Sequence, residues 1–125
     1  MSRVLIVDDH TDTCRLMARI VRGFGHEAEC VDGGAQALAR LATDPADLVI
    51  LDLMMPGMSG LDVLRSMRAS TRTAAVPVIM FSAVADPAVH AQAIAAGANG
   101  WWTKASVDVA TMERDLGRLA SQSDA

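Results

Sequence analysis

The chain has 125 residues, 51% apolar and 21% charged, which fits one globular domain and excludes a disordered chain. A formal net charge of -4 argues against a nucleic-acid module held by a broad basic face. Nor is there an apolar run of membrane length, and no Cys/His cluster suggests zinc.

Val4-Leu5-Ile6-Val7 is a continuous apolar run that ends in Asp8-Asp9, too short for the core of a signal peptide. Leu48 to Leu51, closed by Asp52, repeats the pattern, and Val76 to Phe81, closed by Ser82, does so again. Such runs predict strands buried on both faces, as in a parallel sheet. Glu27 to Val31 and Gly100 to Thr103 are weaker strand candidates.

Helical patterns lie between them. Leu16, Met17, Ile20, Val21 and Phe24 form one face of a first helix that ends near Gly23 or Gly25. Asp32 is the expected cap of a second, with Ala35, Leu38, Leu41 and Ala42 inward. Ser59 with Asp62 resembles a capping box for a third, with Leu61, Leu64 and Met67 inward. Asp86-Pro87 reads as cap and first-turn proline of a fourth, closing near Gly97. Ser106 is the expected cap of a fifth, with Val109, Met112, Leu116 and Leu119 on one face. Cys14 and Cys30 read as small buried hydrophobes in a reducing cytoplasm. Trp102 is expected half buried, facing opposite to Trp101. The Met residues read mostly as core filler, with Met55 and Met58 equally open to partner contact. Residues 1–121 form the predicted domain, and 122–125 a short tail.

Strict alternation of five strands and five helices, with right-handed crossovers, favours a doubly wound three-layer α/β sandwich. Ligands bind such sheets outside the carboxyl ends of the strands. The polar residues there are Asp8, Asp9, Asp52, Ser82 and Lys104. Three carboxylates and one lysine sum to -2, so a divalent cation brings the group to neutrality. Oxygen donors suit Mg²⁺ better than zinc. With the cation bound, one aspartate can act as nucleophile toward phosphorus. His10 stands beside the acids and reads as a solvated residue at a helix start.

These segments, with Asp52-Leu53-Met54-Met55-Pro56-Gly57-Met58-Ser59-Gly60, Phe81-Ser82-Ala83 and Gly97-Ala98-Asn99-Gly100-Trp101-Trp102-Thr103-Lys104, resemble the receiver domain of response regulators in two-component signalling. The resemblance runs from Arg3 to about Ala120. It implies a flavodoxin-like fold with five parallel strands in the order 2-1-3-4-5. It implies Asp52 as phosphoacceptor and Mg²⁺ held by Asp9, Asp52 and the backbone carbonyl of Met54. Asp8 would hold a metal-bound water or assist directly. Lys104 would pair with Asp52 and then with a phosphoryl oxygen, and Ser82 would donate its hydroxyl to the phosphoryl group. Trp101 occupies the place of a switch residue that is usually Tyr or Phe. The donor would be a phosphohistidine on a sensor histidine kinase or a histidine phosphotransfer protein. Output would be a changed surface at the fourth helix, fifth strand and fifth helix, read by a protein target. The molecule would be a monomer or a phosphorylation-dependent dimer, with no direct nucleic-acid or membrane contact.

Trp101 departs from the family in being bulkier than Tyr or Phe, and overfilling a packed core costs about 1–3 kcal/mol, so an altered or outward-frozen switch is expected. Two further features depart as well. Ala105 stands where proline usually follows the lysine after a cis peptide, and cis before a non-proline residue costs about 2.5–4 kcal/mol, so trans is favoured. Met54 and Val84 give an apolar rim that would not orient an attacking water, which predicts slow self-dephosphorylation. An isolated receiver of a larger regulator or hybrid histidine kinase is the nearby alternative. An aspartyl-phosphate hydrolase of the haloacid-dehalogenase type would need a second Asp where Met54 stands. A flavin carrier would need a hydroxyl- and glycine-rich phosphate loop where Asp8-Asp9-His10 stands.

Overall fold

Five strands pair side by side into one parallel sheet, because no tight turn joins consecutive strands and each must return through a helix. The computed structural model describes residues 2–121. The tail expected at 122–125 lies outside the described residues. Strands β1 (Arg3–Val7), β2 (Glu27–Val31), β3 (Leu48–Asp52), β4 (Val78–Ser82) and β5 (Gly100–Thr103) alternate with helices α1 (Thr11–Gly23), α2 (Gly34–Thr43), α3 (Gly60–Ala69), α4 (Pro87–Ala95) and α5 (Val109–Ala120). The sheet order is β2-β1-β3-β4-β5, as the resemblance implies.

Alternate residues of each strand enter opposite layers. Val4, Ile6, Leu48, Ile50, Ile79, Phe81 and Trp102 pack against α1 and α5. Leu5, Val7, Val49, Leu51, Val78 and Met80 pack against α2, α3 and α4. Every residue of β3 and β4 is buried, which is why their sequences run apolar without alternation. β2 is an edge strand and is only partly covered. Its acids, Glu27 and Glu29, pair with Arg3 and Arg40, which discourages pairing of that edge with another chain.

Several local expectations hold. Ser59 and Asp62 form a reciprocal capping box on α3, and Asp86 caps α4 ahead of Pro87. Others are corrected. The N-cap of α2 is Gly33, not Asp32, and it makes no side-chain bond. The cap of α5 is Asp108, whose carboxylate accepts from Thr111 N–H at 2.7 Å, because a turn over Thr103 to Val107 delays the helix past Ser106. Leu16 and Val109 are exposed at 60% and 55%, and Ala35 and Ala42 are also exposed. Cys14, Ala18 and Ala37 take the inward places instead. Cys14 is buried as expected, but Cys30 is exposed on the edge strand. Trp102 is fully buried rather than half buried. It meets Phe81 edge to face at 6.4 Å, and its indole N–H donates to Asp115 Oδ2 at 2.9 Å. Met55 is buried and Met58 half buried. No helix among the described residues is long and apolar enough to cross a membrane.

Candidate functional site

β1 and β3 are neighbours, so their carboxyl ends bring Asp8-Asp9 and Asp52 to the same rim. β4 and β5 add Ser82 and Lys104 beside them, and Lys104 N–H donates to the Ser82 carbonyl at 2.7 Å. Asp8 and Asp52 are 1% and 2% exposed. Ligand oxygens of Asp8, Asp9 and Asp52 and a ring nitrogen of His10 lie within 4.8 Å of one another.

Each charge has a definite partner or lacks one. Lys104 Nζ donates to Asp8 Oδ2 at 2.9 Å and stands 3.4 Å from Asp52 Oδ1. The pairing with Asp52 implied by the resemblance is therefore shared, with Asp8 nearer. Lys104 also lies over the Phe81 ring, 5.2 Å from its centroid. Asp8 Oδ1 accepts from His10 N–H at 2.9 Å. Asp9 Oδ1 and Asp52 Oδ2 are buried and make no hydrogen bond.

The electrostatics follow from this geometry. Burial, followed by the charge of Asp8, pushes the Asp52 carboxyl up to about 6, against the opposing pull of Lys104 and a backbone hydrogen bond from Met54. Burial of Lys104 disfavours its charge. The hydrogen bond to Asp8 and the charges of Asp52 and Asp8 outweigh that and hold the ammonium above its usual value. Two buried oxygens without hydrogen bonds, in an excess of negative charge, fit a hard divalent cation with oxygen ligands.

Of the remaining predicted residues, Ser82 ends β4, Met54 follows β3 and Trp101 lies within β5. Ser82 is completely buried, and its Oγ accepts from Val84 N–H at 2.9 Å, which leaves the hydroxyl proton to donate. Met54 is 63% exposed beside Asp52. Trp101 lies on the α4 side of the sheet. Its ring stacks on His90 of α4 at 4.9 Å and 20°, and its N–H donates to Thr103 Oγ1 at 3.3 Å. The Lys104–Ala105 peptide is trans, as favoured from the sequence.

Two residues carry more than the sequence suggested. Gly60 begins α3 against the backbone of Asp52. A Cβ there would sit 2.2 Å from the Asp52 carbonyl oxygen. His10 is exposed as expected, yet its Nδ1 lies 3.3 Å from both Asp8 Oδ1 and Asp9 Oδ1. The signal for His10 was adjacency to the acids, and nothing in the sequence gave the direction of the ring.

The response regulator receiver domain model matches residues 4–114. The DNA-binding response regulator MtrA of Mycobacterium tuberculosis is 33% identical over 122 residues, covering 98% of this chain and 52% of MtrA. The sensory/regulatory protein RpfC of Xanthomonas campestris pv. campestris is 36% identical over 104 residues, covering 82% of this chain and 14% of RpfC. The chain thus spans about half the length of one curated relative and a small part of the other. The Vibrio cholerae chemotaxis protein CheY4 matches with a TM-score of 0.87 and 28% identity, covering 95% of this chain and 98% of CheY4. The sheet order, the rim of acids with its lysine, and this match over most of the length lead to one conclusion: the chain belongs to the response regulator receiver domain family, the signalling phosphoacceptors of two-component systems.

Proposed function

We propose that Asp52 accepts a phosphoryl group from a phosphohistidine on a sensor histidine kinase or a histidine phosphotransfer protein. The observation that carries this reading is Asp52 Oδ2, buried and without a hydrogen bond, on the rim that also holds Asp9 Oδ1, which makes none either. A carboxylate oxygen of Asp52 forms the new O–P bond. The P–N bond of the donor breaks, its electron pair stays on the imidazole nitrogen, and the ring leaves. Asp9, Asp52 and the Met54 carbonyl, with Asp8 direct or through water, would hold Mg²⁺, which would supply positive charge to offset the carboxylates and the incoming phosphoryl oxygens. Lys104, already between Asp8 and Asp52, turns to a phosphoryl oxygen once Asp52 is modified. The Ser82 hydroxyl donates to another, because its lone pair is engaged by Val84 and its proton is not.

The changed charge is then read at the α4–β5–α5 surface, where Trp101 rests on His90. A protein target binds there, and the chain acts as a monomer or dimerises when phosphorylated. It works in the cytoplasm, in keeping with two free thiols. Partial coverage of MtrA and RpfC supports a second setting for the same chemistry, as a receiver within a larger regulator or hybrid kinase.

Incubation with Mg²⁺ and acetyl phosphate, read by intact mass, tests the assignment. Wild type gains one phosphoryl group and Asp52→Asn gains none. Equal gain by both proteins, or gain by neither, overturns it.

A further inference from the structure

The metal ligands implied by the family are all oxygens, but the cluster in this chain includes a nitrogen. His10 is the N-cap of α1. Its backbone N–H donates to Asp8 Oδ1 at 2.9 Å, which closes the turn and folds the ring back over the acids. Nδ1 then lies 3.3 Å from Asp8 Oδ1 and 3.3 Å from Asp9 Oδ1. It shares one 4.8 Å cluster with a carboxylate oxygen from each of Asp8, Asp9 and Asp52. Asp52 Oδ2 is also buried at this rim with no hydrogen bond.

We propose that His10 is an added ligand that lets this site bind first-row transition-metal ions of the cobalt, nickel and zinc class in competition with Mg²⁺. This rests on the reading of the acidic rim as a metal site. Imidazole suits these ions, whereas Mg²⁺ takes oxygen ligands and keeps its waters. An imidazole with its proton on Nε2 offers the Nδ1 lone pair to an ion. The ring is two-thirds exposed, so it can adjust its angle without disturbing the core.

Calorimetric titration of the metal-free full chain with Co²⁺ and, separately, Mg²⁺ tests this. The visible spectrum of bound Co²⁺ provides a readout of nitrogen ligation. Wild type binds Co²⁺ more tightly than Mg²⁺. His10→Ala and His10→Asn weaken Co²⁺ binding by at least about tenfold and shift its spectrum, with Mg²⁺ affinity nearly unchanged. Thermal unfolding checks that both variants fold. Equal losses for the two ions, or no loss of Co²⁺ affinity, overturn the role of His10 and leave the Mg²⁺ site standing. Failure of folded wild type to bind either ion overturns the metal site itself.

Discussion

Lys104 Nζ is hydrogen-bonded to Asp8 Oδ2 at 2.9 Å, tying the end of β5 to the end of β1 across 96 residues of sequence. From its 3.4 Å separation it also offsets the charge of Asp52. Lys104→Met would leave two buried carboxylates without their cation. Metal-free protein is expected to lose about 2–4 kcal/mol at pH 8. The loss should shrink near pH 5, where Asp52 is largely protonated. Urea unfolding at the two pH values checks this, and an equal loss at both contradicts it.

Asp52 itself costs stability in the metal-free state. Its folded pKa of about 6 lies above the ordinary value of 3.8. The penalty is therefore absent below about pH 4, grows as pH rises through 6, and is full at neutral pH. Asp52→Asn should stabilise the metal-free protein by about 1–3 kcal/mol at pH 7.5 and by almost nothing at pH 4. Mg²⁺ should stabilise wild type and have little effect on Asp52→Asn, as chemical denaturation with and without chelator will show.

Gly60 sets how closely α3 approaches Asp52. Its N–H donates to the Leu53 carbonyl at 2.9 Å, and an added Cβ meets the Asp52 backbone. Gly60→Ala is expected to cost about 2 kcal/mol or more, because backbone rather than a flexible side chain must yield. It should also slow phosphorylation by acetyl phosphate. An unchanged melting temperature would falsify this account of the glycine.

The two thiols should differ sharply. Burial first, then neighbouring Cys30, pushes the Cys14 thiol far above its usual value, and its S–H donates to the Ile6 carbonyl at 3.6 Å. Cys30 is exposed. An aromatic disulfide reagent should titrate one thiol in folded protein and both in denaturant. Fast labelling of Cys14 in the native state would count against the packing described.

Met54 follows Asp52 and is largely exposed, and Val84 follows Ser82; by the resemblance both would flank the phosphoryl group with apolar atoms. Met54→Asn supplies a group that can orient water, and is expected to shorten the lifetime of phospho-Asp52 several-fold. The decay of the phosphorylated mass after removal of acetyl phosphate measures it, and a longer lifetime opposes the reading.

Much of this was legible in the chain because burial on both faces writes a continuous apolar run. Val4 to Val7 and Leu48 to Leu51 announced central strands, and the polar residue closing each run marked the rim. The caps at Ser59 and Asp86 were equally plain, since capping uses neighbours in sequence. The caps of α2 and α5 were missed because the preceding turns decide where a helix begins, and Asp32 and Ser106 stand too early. Leu16 and Val109 fit a helical stripe yet face out, since the stripe's centre is set by the neighbouring layer. The burial of Trp102 depends on Asp115 as acceptor, a contact that periodicity does not record. The direction of the His10 ring and the sharing of Lys104 between Asp8 and Asp52 are products of tertiary placement alone.

The stack of His90 on Trp101 gives the proposed output surface its own optical gauge. The indole belongs to the sheet and the imidazole to α4, so any parting of the two elements separates the rings. Indole emission responds to an imidazole in contact with it, while Trp102, sealed in the opposite layer, supplies a steady background. Motion of that face is thereby visible in the unlabelled chain.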